Sequence, residues 1–307
     1  MLFDKFGKDK IKKLIKELFF HLISILQKGK EARMAKRKYS VDEQTIEKRY
    51  KEGRGKGHGS QYLPWIYINE VPSKGYSSIR KGWKTGRMHH LLSTLESQYF
   101  FTLEWSKDII DIREQYPLLP REETQEIAQE LGIRHPYDRT TKTDIVMTSD
   151  FVVTRKKYQS QELMVRAVKY ELDMRKKRNK EKLLIEKVYW KRRRVNWAII
   201  NEHSINKQLV ENIEFVHKSY HLDGYMDAIN SQNYLPLKNT LLKLLTENPQ
   251  QSISRITSFV DEQFGFRLGI AMTFFKHLIA TRSISVDMES EINTDLPIPF
   301  VINPNGG

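Results

Sequence analysis

The chain contains no cysteine. Disulfides, cysteine-ligated zinc, iron–sulfur clusters and a cysteine nucleophile are therefore excluded. No apolar run approaches the roughly 18 residues of a membrane-spanning helix, so no span is expected. Negative charge is scarce: 38 Asp and Glu face 52 Lys and Arg, a net +14. A surplus of that size favours polyanionic partners, nucleic acid first and an anionic membrane surface second. Hydrophobic residues make up 39% and charged residues 29%, a polar but foldable balance rather than a disordered one. The 307 residues suffice for two domains of ordinary size.

The positive charge is uneven. Residues 1–40 hold 12 basic and 4 acidic side chains, residues 171–194 hold 11 and 4, and residues 234–307 hold 6 and 7. The last quarter thus differs in character, and a domain boundary is expected between 200 and 235. In residues 1–30, Ile11, Leu14, Ile15, Leu18, Leu22, Ile25 and Leu26 recur at helical spacing between lysines, which predicts an amphipathic helix. A secretory signal is not expected, because His21 interrupts the apolar stretch, Asp4, Asp9 and Glu17 precede it, and no small-residue cleavage site follows. Met34-Ala35-Lys36 reads like a natural start, so residues 1–40 are taken as a basic, dispensable extension.

Residues 41–85 are rich in Gly, aromatic and basic residues. Glycines 53, 55, 57 and 59 have some likeness to a phosphate-binding loop, but no apolar strand precedes them and no Gly-Lys-Ser/Thr follows. A flexible basic loop on a nucleic-acid backbone, or a plain surface loop, is the expectation. Residues 89–105 read as a helix with Leu91, Leu92, Leu95, Tyr99 and Leu103 on its apolar face. A strand over IIDIREQYPLL, strands over DIVMTSDFVVT and ELMVRAVKY joined by a turn, a charged helix over 172–194 and a strand over NWAII follow. That order predicts an α/β (α+β) domain, a mixed sheet flanked by helices, over residues 41–204. From 205 to 307 three helical patterns and then the β-like SISVDM suggest the layout of a winged helix. The tail NTDLPIPFVINPNGG is expected to dock extended on a partner or to be disordered.

Asp150 opens the strand FVVT, and Lys169 lies 19 residues later in VRAVKY. A hairpin between the two strands would bring the side chains together. Phosphodiester hydrolysis needs such parts: an acid to hold a divalent ion that lowers the pKa of bound water, and a cation near the anionic transition state. The spacing alone fits equally an exposed turn Asp and an edge-strand Lys. A second carboxylate is required, and Glu96, beside Leu92, Leu95 and Tyr99, is the first candidate, because a carboxylate bordering an apolar face needs a partner or a metal. Glu104 and Asp144 are the others. The nine His residues include no H-E-x-x-H pattern, so no zinc site is expected. His89 and His90 read as structural or phosphate-facing, and His135 lies in the loop before Asp150.

The blocks HHLLSTLE, FFTLEW, DIREQYPLLP, TSDFVV, VRAVKY and EKVYWKRRRVNWAII, preceded by EGRGKGHGSQYLPWIYINEVPSKG, strongly resemble the TnsA endonuclease subunits of bacterial heteromeric cut-and-paste transposons. The resemblance covers about 41–215 closely and 216–307 loosely. It implies a restriction-endonuclease-like N-terminal domain, a winged-helix C-terminal domain, and Mg²⁺-dependent cutting of the 5′ strands at transposon ends, with Mn²⁺ able to substitute. It also implies a TnsB-like transposase of the DDE type that handles the 3′ ends, and an ATP-dependent TnsC-like regulator contacted through the C-terminal domain. A bacterial cytoplasmic, nucleoid-associated protein follows. The family's catalytic Glu, Asp and Lys fall on Glu96, Asp150 and Lys169, and a further Glu falls on Glu186. Two departures stand out. Some members carry Gln two residues before the Lys, where this chain has Ala167, and many have Pro after it, where this chain has Tyr170. Since Ala cannot hold a water or ion, the backbone carbonyl of Val168 is expected to join Glu96 and Asp150 in the metal shell.

The helix over 172–194 carries Arg175, Lys176, Lys177 and Arg178, then Lys191, Arg192, Arg193 and Arg194. Such a concentration repels itself unless a polyanion is near, and these residues are expected to lie on the DNA backbone, giving affinity but little sequence readout. The C-terminal pattern RLGIAMTFFKHLIATR has few cations, so that domain reads as a protein-interaction module. Two other functions remain open on the residues alone: a stand-alone restriction or repair nuclease, and a non-catalytic winged-helix regulator that binds DNA.

Overall fold

A computed structural model describes residues 39–72, 76–158 and 160–303. The amphipathic helix expected over 1–30 lies outside the described residues. Helix α1 (Glu43–Lys51) opens the described chain, capped by Asp42, whose carboxylate accepts from the Thr45 amide at 2.8 Å. A hairpin of β1 (Ser78–Lys81) and β2 (Met88–Leu91) follows, with Ser78 opposite Leu91 and Lys81 opposite Met88. Helix α2 (Thr94–Trp105) is therefore shorter than the helix read over 89–105. The reason is the cap at Ser93. Ser93 accepts from the Glu96 amide at 3.1 Å, and the Glu96 carboxylate reaches back to the Leu92 amide and the Ser93 hydroxyl, each at 3.0 Å.

The central sheet comprises β3 (Ile109–Pro117), β4 (Thr148–Lys157), β5 (Ser160–Val168) and β6 (Asn196–Ile200), hydrogen-bonded in that order. β3–β4 and β4–β5 are antiparallel and β5–β6 is parallel, the mixed sheet expected from the element order. Helix α3 (Arg121–Glu130) lies between β3 and β4 in the chain. The charged stretch after β5 is two helices, α4 (Glu171–Met174) and α5 (Lys177–Arg192), rather than one. Lys176 takes an extended backbone at ψ 123°, and the Asn179 side-chain amide donates to the Asp173 carbonyl at 2.8 Å, tying the break together.

Alternation along β4 sends Phe151 and Val153 to one face and Val152 to the other, and all three are fully buried. The first face joins Phe100 and Phe101 of α2 and continues into the C-terminal helices. The second packs on Ile127, Ile185, Tyr189 and Trp190 of α3 and α5. A sheet filled on both faces explains why β4 and β5 read as near-continuous apolar runs.

The glycine-rich segment covers the β3 edge instead of standing free as a basic loop. The Gly59 amide donates to Asp111 Oδ1 at 3.1 Å, the Trp65 amide to the Gln115 carbonyl at 3.1 Å and the Tyr62 hydroxyl to the Glu114 carbonyl at 3.1 Å. Gly55 has φ +79°, and a Cβ there would lie 2.2 Å from the Pro117 ring. Only glycine fits at that approach.

Helices α6 (Lys207–His217), α7 (Tyr234–Glu247), α8 (Ile253–Phe264) and α9 (Ile270–Ala280) build the C-terminal part. Strand β7 (Ile284–Val286) pairs antiparallel with β8 (Phe300–Ile302). The tail therefore returns onto its own chain through residue 302, contrary to both expectations for it. One apolar cluster runs from Leu91 through Phe101 and Val216 to Met288, so the C-terminal helices pack directly on α2. No helix among the described residues is long and apolar enough to cross a membrane.

Candidate active site

The β4–β5 hairpin brings Asp150 and Lys169 together. Lys169 Nζ lies 2.6 Å from Asp150 Oδ2 and 3.0 Å from the Val168 carbonyl, and the Val168 amide donates to the same Asp150 oxygen at 2.7 Å. Burial works against the Lys169 charge, but Asp150, and Glu96 behind it, hold the ammonium above its ordinary value. Glu96 enters from the first turn of α2. Burial pushes its carboxyl up to about 7, aided by the Asp150 charge and opposed by Lys169. Glu186, on α5, accepts from the Ser149 hydroxyl at 2.7 Å, and that hydroxyl accepts from Trp190 Nε1 at 2.8 Å. Burial, then Asp150, lift the Glu186 carboxyl to about 7 as well. Asp150, Lys169 and Glu186 line a cleft of about 190 Å³ with Pro136, Met147, Asn179 and Leu183.

Glu104 and Asp144 do not join this group. Glu104 sits at the opposite end of α2 from Glu96, about 12 Å along the axis at 1.5 Å per residue. Asp144 accepts from Gln125 Nε2 at 2.6 Å and lies 3.7 Å from His135. His89 is structural: its ring contacts Glu114 Oε2 at 2.8 Å and Thr85 at 2.7 Å, fully buried, and Arg87 forks onto the same carboxylate. His90 is half-buried against Tyr67.

Gln115 belongs to the site, although nothing in the sequence pattern singles it out. Its side-chain amide donates to Glu96 Oε2 at 3.2 Å, and its side-chain oxygen accepts from the Thr148 hydroxyl at 3.3 Å. It is buried and holds φ +47°, a left-handed backbone that non-glycine residues take at a cost and that recurs at functional sites. Ala167 is fully buried and offers no polar side-chain group, so in this chain a glutamine reaches the site from β3.

The oxygens gathered here are the carboxylates of Glu96 and Asp150 and the carbonyl of Val168. Hard oxygen donors without nitrogen or sulfur suit Mg²⁺ or Mn²⁺. No group of three or more His, Cys, Asp or Glu stands ready to hold a metal among the described residues. An ion here would keep several waters, as Mg²⁺ commonly does. Asp150 and Lys169 in the wall of a cleft, with the buried Glu96 near enough to interact with both, are the kinds of group that phosphodiester cleavage uses.

The eight basic residues assigned to DNA fall in two groups at the two ends of α5, a helix about 24 Å long for its 16 residues. Arg175 pairs with Glu171, Lys176 with Asp173, and Arg178 with Glu181. Arg192 reaches Glu130 at 2.7 Å and Arg193 reaches Glu123 at 2.6 Å, both acids on α3. Part of the self-repulsion inferred from the linear charge count is thus relieved within the chain. Lys177, Lys191 and Arg194 are exposed and make no ion pair among the described residues.

A family model described as TnsA-like endonuclease N terminal matches residues 106–202, and one described as TnsA endonuclease C terminal matches residues 204–288. Asp150, Lys169 and Glu186 lie inside the first match, and Glu96 lies just upstream of it. The Escherichia coli protein named transposon Tn7 transposition protein TnsA is 36% identical over 274 residues, spanning 88% of this chain and 97% of the relative. The chain belongs to the TnsA endonuclease family.

Proposed function

We propose that this protein is the endonuclease subunit of a heteromeric transposase and cuts the 5′ strands at transposon ends with Mg²⁺. The observation that carries this reading is the 2.6 Å contact of Lys169 with Asp150 at the lip of a cleft, with Glu96 close enough for its charge to be felt. Glu96, Asp150 and the Val168 carbonyl would hold the ion, which when bound neutralises developing charge and lowers the pKa of its water. Lys169 supplies a fixed ammonium where the phosphate becomes more anionic. Gln115 and the Leu92 amide orient the Glu96 carboxylate. Glu186 positions Asp150 indirectly, through the Ser149 hydroxyl next to it in β4.

In this reading residues 41–204 form a restriction-endonuclease-like domain. Residues 205–307 form a winged-helix domain, for which α7, α8 and α9, the last three of its four described helices, and then the β7–β8 pair supply the parts. Its exposed Leu268 and Phe259 favour protein contact with a TnsC-like ATP-dependent regulator. A TnsB-like transposase acts on the 3′ ends. The protein works in the bacterial cytoplasm on the nucleoid.

Cutting of a labelled transposon-end duplex, with the partner transposase present, is expected to stop in EDTA and to return with added Mg²⁺ or Mn²⁺. Cutting that persists in EDTA removes the metal from the account. The exposed cations at the two ends of α5 are assigned to the DNA backbone, since surface ion pairs such as Arg192–Glu130 are weak and exchange readily for phosphate. Replacing Lys177, Lys191 and Arg194 with Gln is expected to flatten the plot of log K against log salt by up to about 0.9 for each phosphate that is no longer neutralised. An unchanged slope places these residues off the DNA.

A further inference from the structure

A second cavity lies at the other end of α2, where the β1–β2 turn meets the end of α9. Trp83, Lys84, Glu104, Lys107, Tyr220 and Arg282 line its volume of about 610 Å³. Glu104 is 3% exposed, its Oε2 accepts from the Trp83 amide, and its Oε1 has no partner. Burial lifts this carboxyl to about 7, against hydrogen bonds from the Trp83 and Lys84 amides, so near neutral pH it both accepts from and, when protonated, donates to a ligand group. The cations around it are held by backbone instead of by carboxylates. Lys84 Nζ donates to the Ser106 carbonyl at 2.7 Å, and Arg282 donates to the Trp105 carbonyl with its guanidinium 4.3 Å from the Trp105 ring centroid. Burial lowers the pKa of both Lys84 and Arg282, and the nearby Glu104 and Asp108 charges offset this only in part at Lys84. Lys107 adds an exposed third at the rim. Arg282 holds a left-handed φ of +57° where α9 ends, which fixes where its side chain starts. Trp83 stacks on both His217 and Tyr220, with ring centroids 4.9 Å apart in each pair, so the wall is aromatic and fixed.

We propose that this cavity is a nucleotide site, distinct from the cleft at Asp150: its cations seat a phosphoryl group and Glu104 accepts a hydrogen bond from an amino or ring N–H of the base. The volume falls within the usual range for small-molecule sites, about 300–1,000 Å³. The nucleotide comes either free or as the end of a DNA strand, and both sources present the same chemistry.

Calorimetric titration of the full chain with dGMP, with a short 5′-phosphorylated single strand and with inorganic phosphate tests the assignment. Saturable binding of dGMP is the expected result, with Kd raised roughly tenfold or more in each of Glu104→Gln and Lys107→Ala and unchanged in Asp150→Asn. Binding of the strand without dGMP, with the same variant pattern, supports the site and assigns it to a strand end. Lys107 is exposed, so its variant does not threaten the fold. No binding of either nucleotide probe, equal binding in the two cavity variants and the parent, or inorganic phosphate binding as tightly as dGMP overturns the proposal. Loss of binding in Asp150→Asn also overturns it, by placing the ligand in the other cleft.

Discussion

Asp150→Asn is expected to reduce 5′-strand cutting by a factor of about 10³ or more, the scale on which loss of a group that stabilises developing charge is felt. Asp150 is the junction of the site. One of its oxygens takes both the Lys169 ammonium and the Val168 amide, and its charge is the second cause, after burial, of the raised Glu96 and Glu186 carboxyls. Asn keeps the shape and one acceptor oxygen but removes the charge that would hold a divalent ion. Because β4 is built on Phe151, Val152 and Val153, all fully buried, circular dichroism should show an intact fold. Rates measured on a labelled duplex with the partner transposase check the effect, and a variant that cuts within tenfold of the parent removes Asp150 from the chemistry.

Lys169→Met should slow the chemical step by about 10²–10³ and leave DNA affinity within about twofold. The ammonium is directed at Asp150 and the Val168 carbonyl inside the site, and its side chain is only 35% exposed, so it has little access to the DNA backbone away from the cleft. Without it Glu96 and Asp150 face each other with no cation between them, and protonation of one becomes favoured. The pH at which cutting is half-maximal should therefore move up. Single-turnover rates across pH, beside equilibrium binding, separate this from a clamp. A weakened Kd with an unchanged rate and pH profile would make Lys169 a backbone contact only.

Much of the catalytic side of the fold is legible because it rests on period. β4 and β5 alternate or run apolar over nine or ten residues around a short turn, and that alone sets Asp150 near Lys169. The β1–β2 hairpin is not legible in the same way. Its strands are four residues each, and Met88 through Leu91 blend into the apolar pattern of α2. The Ser-x-x-Glu signal at 93–96 marks the true start of the helix, and it is present in the sequence. Gln115 gives no such signal, since a left-handed backbone in the middle of a strand has no marker in residue type. Counting charge along the chain also misses pairs made across it. Glu123 and Glu130 neutralise Arg193 and Arg192 over separations of 62 to 70 residues. The glycine spacing at 53–59 points to a loop, but only the approach of Pro117 to Gly55 explains why glycine is needed there.

In the proposed division of labour one site, built on Asp150, makes one of the two strand cuts at each transposon end. Strand-resolved cleavage of an end duplex labelled separately on each strand, in Mg²⁺ with the neighbouring transposase, tests it most directly when parent and Asp150→Asn are run side by side. The variant is expected to lose the 5′-strand cut and to keep the 3′-strand cut. Both cuts persisting unchanged, or the 3′ cut vanishing while the 5′ cut remains, would contradict it.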